Sequence, residues 1–182
     1  MKFIIILLFS LLFPACNGTK TELNENKKEA AKVEKTLKVA FGYKPRSFDP
    51  HRHTDSSTLA VTKQIYNNLF SLNDKGELIP ELVEKYETLP DNSIILTLKK
   101  GIFFQDGNEL KAEDVAASLK RNLNIPISKV LVESIKGLEV LDDYRLKIIQ
   151  NNAPTILLHN FAHSSIAIVK EVPANEEGIN LV

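Results

Sequence analysis

The sequence predicts an α+β fold, in which strands and helices mix without a regular βαβ alternation. Three patterns carry this reading. Two stretches of alternating apolar residues, each beside a turn cluster, read as hairpins around Pro90-Asp91-Asn92-Ser93 and Asp142-Asp143. A third stretch, Ala112 to Leu123, repeats its apolar residues Val115, Leu119 and Leu123 at helical spacing.

Taken in order, the chain opens with Lys2 and an apolar stretch from Phe3 to Phe13, then Pro14-Ala15-Cys16 and an abrupt change to polar residues. Eleven apolar residues are too few for a helix to cross a hydrocarbon core, which takes about 20. Residues 1–15 therefore read as a secretion signal. Cys16, the one cysteine, cannot form an internal disulfide, and Ala15-Cys16 resembles the lipobox at which bacterial lipoproteins are cleaved and diacylated. Cys16 is thus the expected lipidation site and membrane anchor. Residues 17–35 are mostly Asn, Lys, Glu, Thr and Ala and read as a disordered tether, because Leu23 and Val33 offset little of the entropy of ordering. Cleavage before Cys16 leaves 22 basic against 23 acidic residues, a balance that gives no nucleic-acid footprint.

Residues 36–182 are enough for one domain with its own core. Leu37, Val39 and Phe41 alternate, so Thr36 to Gly42 reads as a strand. Pro45, Asp49 and Pro50 interrupt regular structure. Asp55-Ser56-Ser57 then offers N-caps for a helix carrying Leu59, Ile65 and Leu69, and Asn73-Asp74-Lys75-Gly76 closes that unit with a turn. Pro80 suits the first turn of a short helix from Glu81 to Lys85. In the first hairpin Ile94, Leu96 and Leu98 share one face. Phe103 and Phe104 begin an extended piece that stops at Gln105-Asp106-Gly107-Asn108. The Ala112 helix places Glu113 and Asp114 in its first turn and Lys120 and Arg121 in its last, as its dipole favours. After the second hairpin, Pro154 starts a helix through Phe161, and Ser165 to Val169 reads as a buried strand.

Catalytic and metal patterns are weak. No Ser-His-Asp spacing, carboxylate pair or phosphate-cradling glycine loop stands out, so no enzyme activity and no cofactor are expected. His51-x-His53 and His159-x-x-x-His163 have metal-ligand spacing, and the second pair would share a face if its helix reached His163. Asn160 stands where a His-Glu-x-x-His protease has its base, and no third ligand lies nearby in sequence, so no metal site is assigned.

Six consecutive pieces resemble the N-terminal region of the peptide- and nickel-type extracellular solute-binding proteins of ABC transporters. They are Ser47-Phe-Asp-Pro-His51, Ile65-Tyr-Asn-Asn-Leu-Phe70, Pro80-Glu-Leu-Val-Glu-Lys-Tyr86, Leu96-Thr-Leu-Lys-Lys-Gly101, Phe104-Gln-Asp-Gly107 and Ala112-Glu-Asp-Val-Ala-Ala-Ser-Leu-Lys120. The sequence departs from that pattern at Lys111, where a Thr or Ser usually caps the helix, a change worth about 1 kcal/mol. It also stops at Gly178 to Val182, where those proteins continue.

The resemblance implies one strand of the first lobe of a periplasmic-binding-protein type II-like fold plus its accessory domain. It also implies a receptor that captures oligopeptides outside the cytoplasmic membrane and delivers them to ABC permease subunits. Nickel, haem or oligosaccharide cargo, or an anchored fragment without cargo, are the alternatives. Such proteins close two lobes around the solute, so residues 36–182 alone are expected to bind peptide weakly or not at all. The loop carried over as ligand-facing is His51 to Ser56, with Thr54 and Ser56 lining the cleft and His53 and Asp55 as neighbours. Capping of the following helix by Asp55 and Ser56 is the equally weighted alternative.

Overall fold

The computed structural model describes residues 36–40 and 42–170. The chain divides into two compact units, Met1–Lys38 and Val39–Val182, and the second holds every described helix and strand. The expected signal peptide, Cys16 and the tether lie outside the described residues.

In the second unit a 3-10 turn, Pro50–Arg52, leads into helix α1, Ser56–Thr62. Strands β1, Phe70–Leu72, and β2, Leu78–Pro80, form a small antiparallel hairpin around the Asn73–Gly76 turn. Strands β3, Val83–Thr88, and β4, Ile94–Leu98, form the first expected hairpin. Helix α2, Ala112–Asn124, and helix α3, Pro126–Val132, precede β5, Ile135–Asp142, and β6, Arg145–Gln150, the second expected hairpin. Helix α4, Pro154–Asn160, and a second 3-10 turn, Ser164–Ile166, complete the unit.

The two long hairpins join edge to edge through β4 and β6, giving an antiparallel sheet of order β3-β4-β6-β5. Its inner face carries Ile94, Leu96, Leu98, Leu146 and Ile148, all fully buried. Helix α2 covers this face with Val115, Ala116 and Leu119. Each fully buried Leu or Ile here contributes about 1.5–3 kcal/mol of transfer free energy. Lys111 cannot cap α2 with its ammonium group, and Asp114 Oδ2 instead accepts from Lys111 N at 2.8 Å. The Lys111 side chain turns away to Glu109 at 2.8 Å and Tyr144 Oη at 2.5 Å, over the Tyr144 ring.

Four expectations are corrected. Among its described residues, Thr36 to Gly42 forms no strand, and Leu37 and Val39 are exposed, because an alternating segment becomes a strand only when a neighbour takes up its backbone bonds. Helix α1 stops at Thr62, so Ile65 and Leu69 lie beyond it, although Leu69 still reaches the core. The expected Glu81 to Lys85 helix does not form: Pro80 ends β2, Glu81 and Leu82 make a bend, and Val83 to Lys85 begin β3, which pairs with β4 from Val83 to Thr88. Pairing with an apolar strand outweighs the weak helix-start signal of one proline. The Phe70 and Tyr86 rings then meet edge to face at 5.5 Å.

The fourth correction concerns Ser165 to Val169, which is buried as expected but is not a strand. The Ala167 carbonyl lies 2.8 Å from His51 Nε2, Ile168 N donates to the Asn67 carbonyl at 3.0 Å, and Ser118 Oγ bonds both N and O of Val169. Side chains and one loop carbonyl thus satisfy polar groups that a sheet ladder would otherwise hold.

Candidate functional site

The segment before α1 is anchored by a buried carboxylate. Asp49 N donates to Ser47 Oγ at 3.0 Å, and Asp49 Oδ1 accepts from His51 N at 3.1 Å, which starts the first 3-10 turn. Asp49 is fully buried, and Arg121 in the last turn of α2 grips it with both terminal nitrogens, at 3.0 and 2.6 Å. Burial pushes the Asp49 carboxyl up, but the hydrogen bonds and charge of Arg121, together with the His51 N–H, outweigh it and leave it below the ordinary value. Arg52 Nε adds a contact at 3.2 Å from the solvent side.

His51 completes the anchor in one protonation state. Its Nδ1 lies 2.6 Å from Arg121 Nη1, and a guanidinium can only donate, so Nδ1 is an acceptor. Its Nε2 faces the Ala167 carbonyl at 2.8 Å and must carry the proton. The imidazole is therefore neutral. Burial first, and Arg121 with it, lowers its pKa to about 4 against the opposing pull of Ala167 and Asp49.

This anchor presents the expected ligand loop. Thr54 and Ser56 are exposed, and His53 and Asp55 are half-buried. Asp55 Oδ1 accepts from Thr58 N at 3.0 Å, so it caps α1, and that backbone bond lowers its pKa. His53 Nδ1 lies 4.0 Å from Asp55 Oδ2, and the His53 carbonyl accepts from Ser165 Oγ at 3.1 Å. The four residues therefore share one loop end, with two side chains turned to solvent. His51, the first residue of the expected loop, belongs to the anchor instead.

The histidine pair at 159 and 163 does not share a helix face, because α4 ends at Asn160. His159 Nδ1 faces the Thr155 carbonyl at 2.8 Å, while His163 Nδ1 accepts from Ser165 N at 3.1 Å. Sequence reasoning missed the partnership of Asp49 and Arg121; Arg121 was assigned only to the helix dipole. It also missed a recess of ≈ 120 Å³ between Ile65–Asn67, Ile102–Gln105 and Ile168–Lys170. Lys170 pairs with Asp106 at that recess, and burial followed by the Asp49 charge raises the Tyr66 phenol to about 12.

The helix-entry loop of this α+β unit is locked to the covering helix α2 through Asp49 and Arg121. The comparisons define the class. The profile of the bacterial extracellular solute-binding proteins, family 5 (middle region), matches residues 77–181, and the chain belongs to this family of binding proteins, which are not enzymes.

Among curated relatives, the glutathione-binding protein GsiB of Escherichia coli (strain K12) is 30% identical over 150 residues, covering 79% of this chain and 29% of that protein. GsiB of Salmonella choleraesuis (strain SC-B67) is 30% identical over 140 residues, 74% of this chain and 27% of its own length. The chain thus spans less than a third of the curated relatives it matches. Among solved structures, the periplasmic binding protein AgaA of A. tumefaciens R10, in complex with agropinic acid, aligns with a TM-score of 0.64 at 26% identity, over 70% of this chain and 26% of that one. NikA of Staphylococcus aureus with Ni(L-His)2 gives 0.56 at 27%, over 61% and 24%. DppA of Helicobacter pylori with peptide STSA gives 0.62 at 23%, over 70% and 29%, a likeness of fold alone. The fold is the N-terminal part of the type II periplasmic-binding-protein architecture.

Proposed function

We propose that this chain supplies part of the solute-binding component of an ABC importer, which captures oligopeptides or peptide-like solutes outside the cytoplasmic membrane and hands them to the permease. The observation that carries the reading is the loop at 53–56, held by the buried Asp49–Arg121 pair with Thr54 and Ser56 exposed, in a chain of the solute-binding family. Glutathione, named for the curated relatives, is itself a tripeptide thiol and falls within the same cargo class. Backbone and hydroxyl groups at such a loop suit a peptide, because they hydrogen-bond its main chain whatever its side chains.

Calorimetric titration with a pool of tri- to pentapeptides, and separately with glutathione, tests the reading. Residues 36–182 should bind weakly or not at all, and the same chain extended through any downstream reading frame should bind one of the two. Absence of binding in both would sink the peptide reading and favour another cargo or an anchored fragment without cargo.

Anchoring through a diacylated Cys16 is part of the same proposal. Two or three acyl chains, at about 0.8 kcal/mol per buried methylene, hold a protein on a membrane that its polar body would not enter. Cys16→Ser should move the protein from the membrane fraction to the soluble extracytoplasmic fraction. An unchanged distribution would rule out a lipid anchor at this residue.

A further inference from the structure

The proposed solute-facing loop is met by a second stretch of chain. Ser165 Oγ donates to the His53 carbonyl, and the two 3-10 turns, Pro50–Arg52 and Ser164–Ile166, pack against each other. His163 stands immediately before the second turn. Its carbonyl accepts from the buried Asn68 Nδ2 at 2.7 Å, so its backbone is tied to the core. Its Nδ1 accepts from Ser165 N at 3.1 Å.

An imidazole that accepts a backbone N–H at Nδ1 is neutral and carries its proton on Nε2. Burial lowers the His163 pKa, which agrees with that state. His163 is nevertheless exposed, whereas residues 165–169 are all buried, and among the described residues no protein group bonds its Nε2. A neutral donor in a set orientation therefore stands two residues before Ser165, which bonds the loop at the His53 carbonyl.

We propose that His163 is a specificity-determining residue, whose Nε2–H donates a hydrogen bond to a carbonyl or carboxylate oxygen of a peptide-like solute. The proposal rests on the reading that the loop at 53–56 faces solute. Its rival is a purely local role, in which His163 only caps the turn through Nδ1. The two roles use different ring nitrogens, and two substitutions separate them. Asn offers an acceptor near the Nδ1 position, and Gln offers an amide donor near the Nε2 position.

The experiment titrates tri-alanine and glutathione into the chain extended through any downstream reading frame and into three variants: His163→Gln, His163→Asn and Thr54→Ala/Ser56→Ala. His163→Gln should bind within about threefold of the parent, and His163→Asn about tenfold more weakly, the loss expected for one hydrogen bond to an acceptor oxygen. Retained binding in Asn with loss in Gln overturns the proposal in favour of the cap, and unchanged affinity in both also overturns it. If the loop variant loses affinity while His163→Asn does not, the His163 assignment fails and the loop reading stands; the reverse result sinks the loop reading and, with it, the proposal that rests on it. No binding of either probe by the parent overturns both. Nitrogen NMR of the His163 ring needs no solute: the Nε2–H tautomer is expected, and an Nδ1–H tautomer overturns the assignment.

Discussion

Arg121→Ala is expected to destabilise the fold by about 3–5 kcal/mol, the cost of leaving a buried charge without its partner. The magnitude follows from an asymmetry in the pair. The Asp49 side chain is fully buried, whereas 28% of the Arg121 side chain remains exposed. Removing the arginine strands a carboxylate that has only the His51 N–H and the half-exposed Arg52 to turn to. Its remaining escape is to take up a proton, which raises its pKa and limits the loss. Removing the carboxylate instead leaves a guanidinium that can reach water. Asp49→Asn, which still offers an acceptor to His51 N, should therefore cost less, about 1–3 kcal/mol. Urea unfolding monitored by circular dichroism checks both, with the midpoint shifted and the slope unchanged. A shift below about 1 kcal/mol for Arg121→Ala would mean that the pair is dispensable to the fold.

The second large effect is a loss of stability on mild acidification, carried by His51. Its folded pKa of about 4 lies below its ordinary 6.5, so between these values the unfolded chain holds a proton that the folded chain refuses. Stability must then rise with pH across that window and fall as pH drops from about 6.5 to about 4. A depression of this size corresponds to about 3 kcal/mol. The geometry explains the refusal. A proton on Nδ1 would point at the Arg121 guanidinium, 2.6 Å away, in a site closed to water. Asp49, which faces the same guanidinium, adds stability that is lost only below the ordinary carboxylate pKa. Asp106 and Glu109, both held at about 2 chiefly by the lysines that pair with them, also act in that lower window. His51→Gln, which keeps an N–H for the Ala167 carbonyl and does not titrate, should flatten most of the slope between pH 4 and 6.5. The slope that remains is assigned to His163, whose pKa is also lowered. Identical slopes in parent and variant would remove His51 as the cause.

Both effects arise from residues whose connection is invisible along the chain. Asp49 and His51 lie about seventy positions before Arg121 and Asn122, and their own neighbourhood reads as a proline-rich turn. Arg121 looked satisfied as a basic residue in the last turn of a helix, so no local signal asked for another partner. For the loop at 53–56 the capping alternative was legible in Asp55-Ser56-Ser57, and Asp55 does cap α1. The pairing of His159 with His163 failed because α4 ends three residues before the second histidine.

What the sequence determined by itself is the part governed by short-range rules. Alternation beside Asp91-Asn92 and Asp142-Asp143 specified two hairpins, and helical spacing with an acidic start and basic end specified α2, because each pattern buries one face whatever it packs against. Tertiary structure decided everything that needed a distant partner. Val83 to Lys85 had no strong preference, and β4 drew them into the sheet. Ser165 to Val169 was apolar enough to be buried, but only the arrival of His51, Asn67 and Ser118 decided how its backbone would be satisfied. Thr36 to Gly42 has the strand pattern without a strand beside it among the described residues, so the pattern stays unexpressed. The physical reason is common to all three: a side-chain period states which face of a segment is apolar, whereas backbone hydrogen bonds and buried charges need a particular partner, and long-range folding supplies that partner.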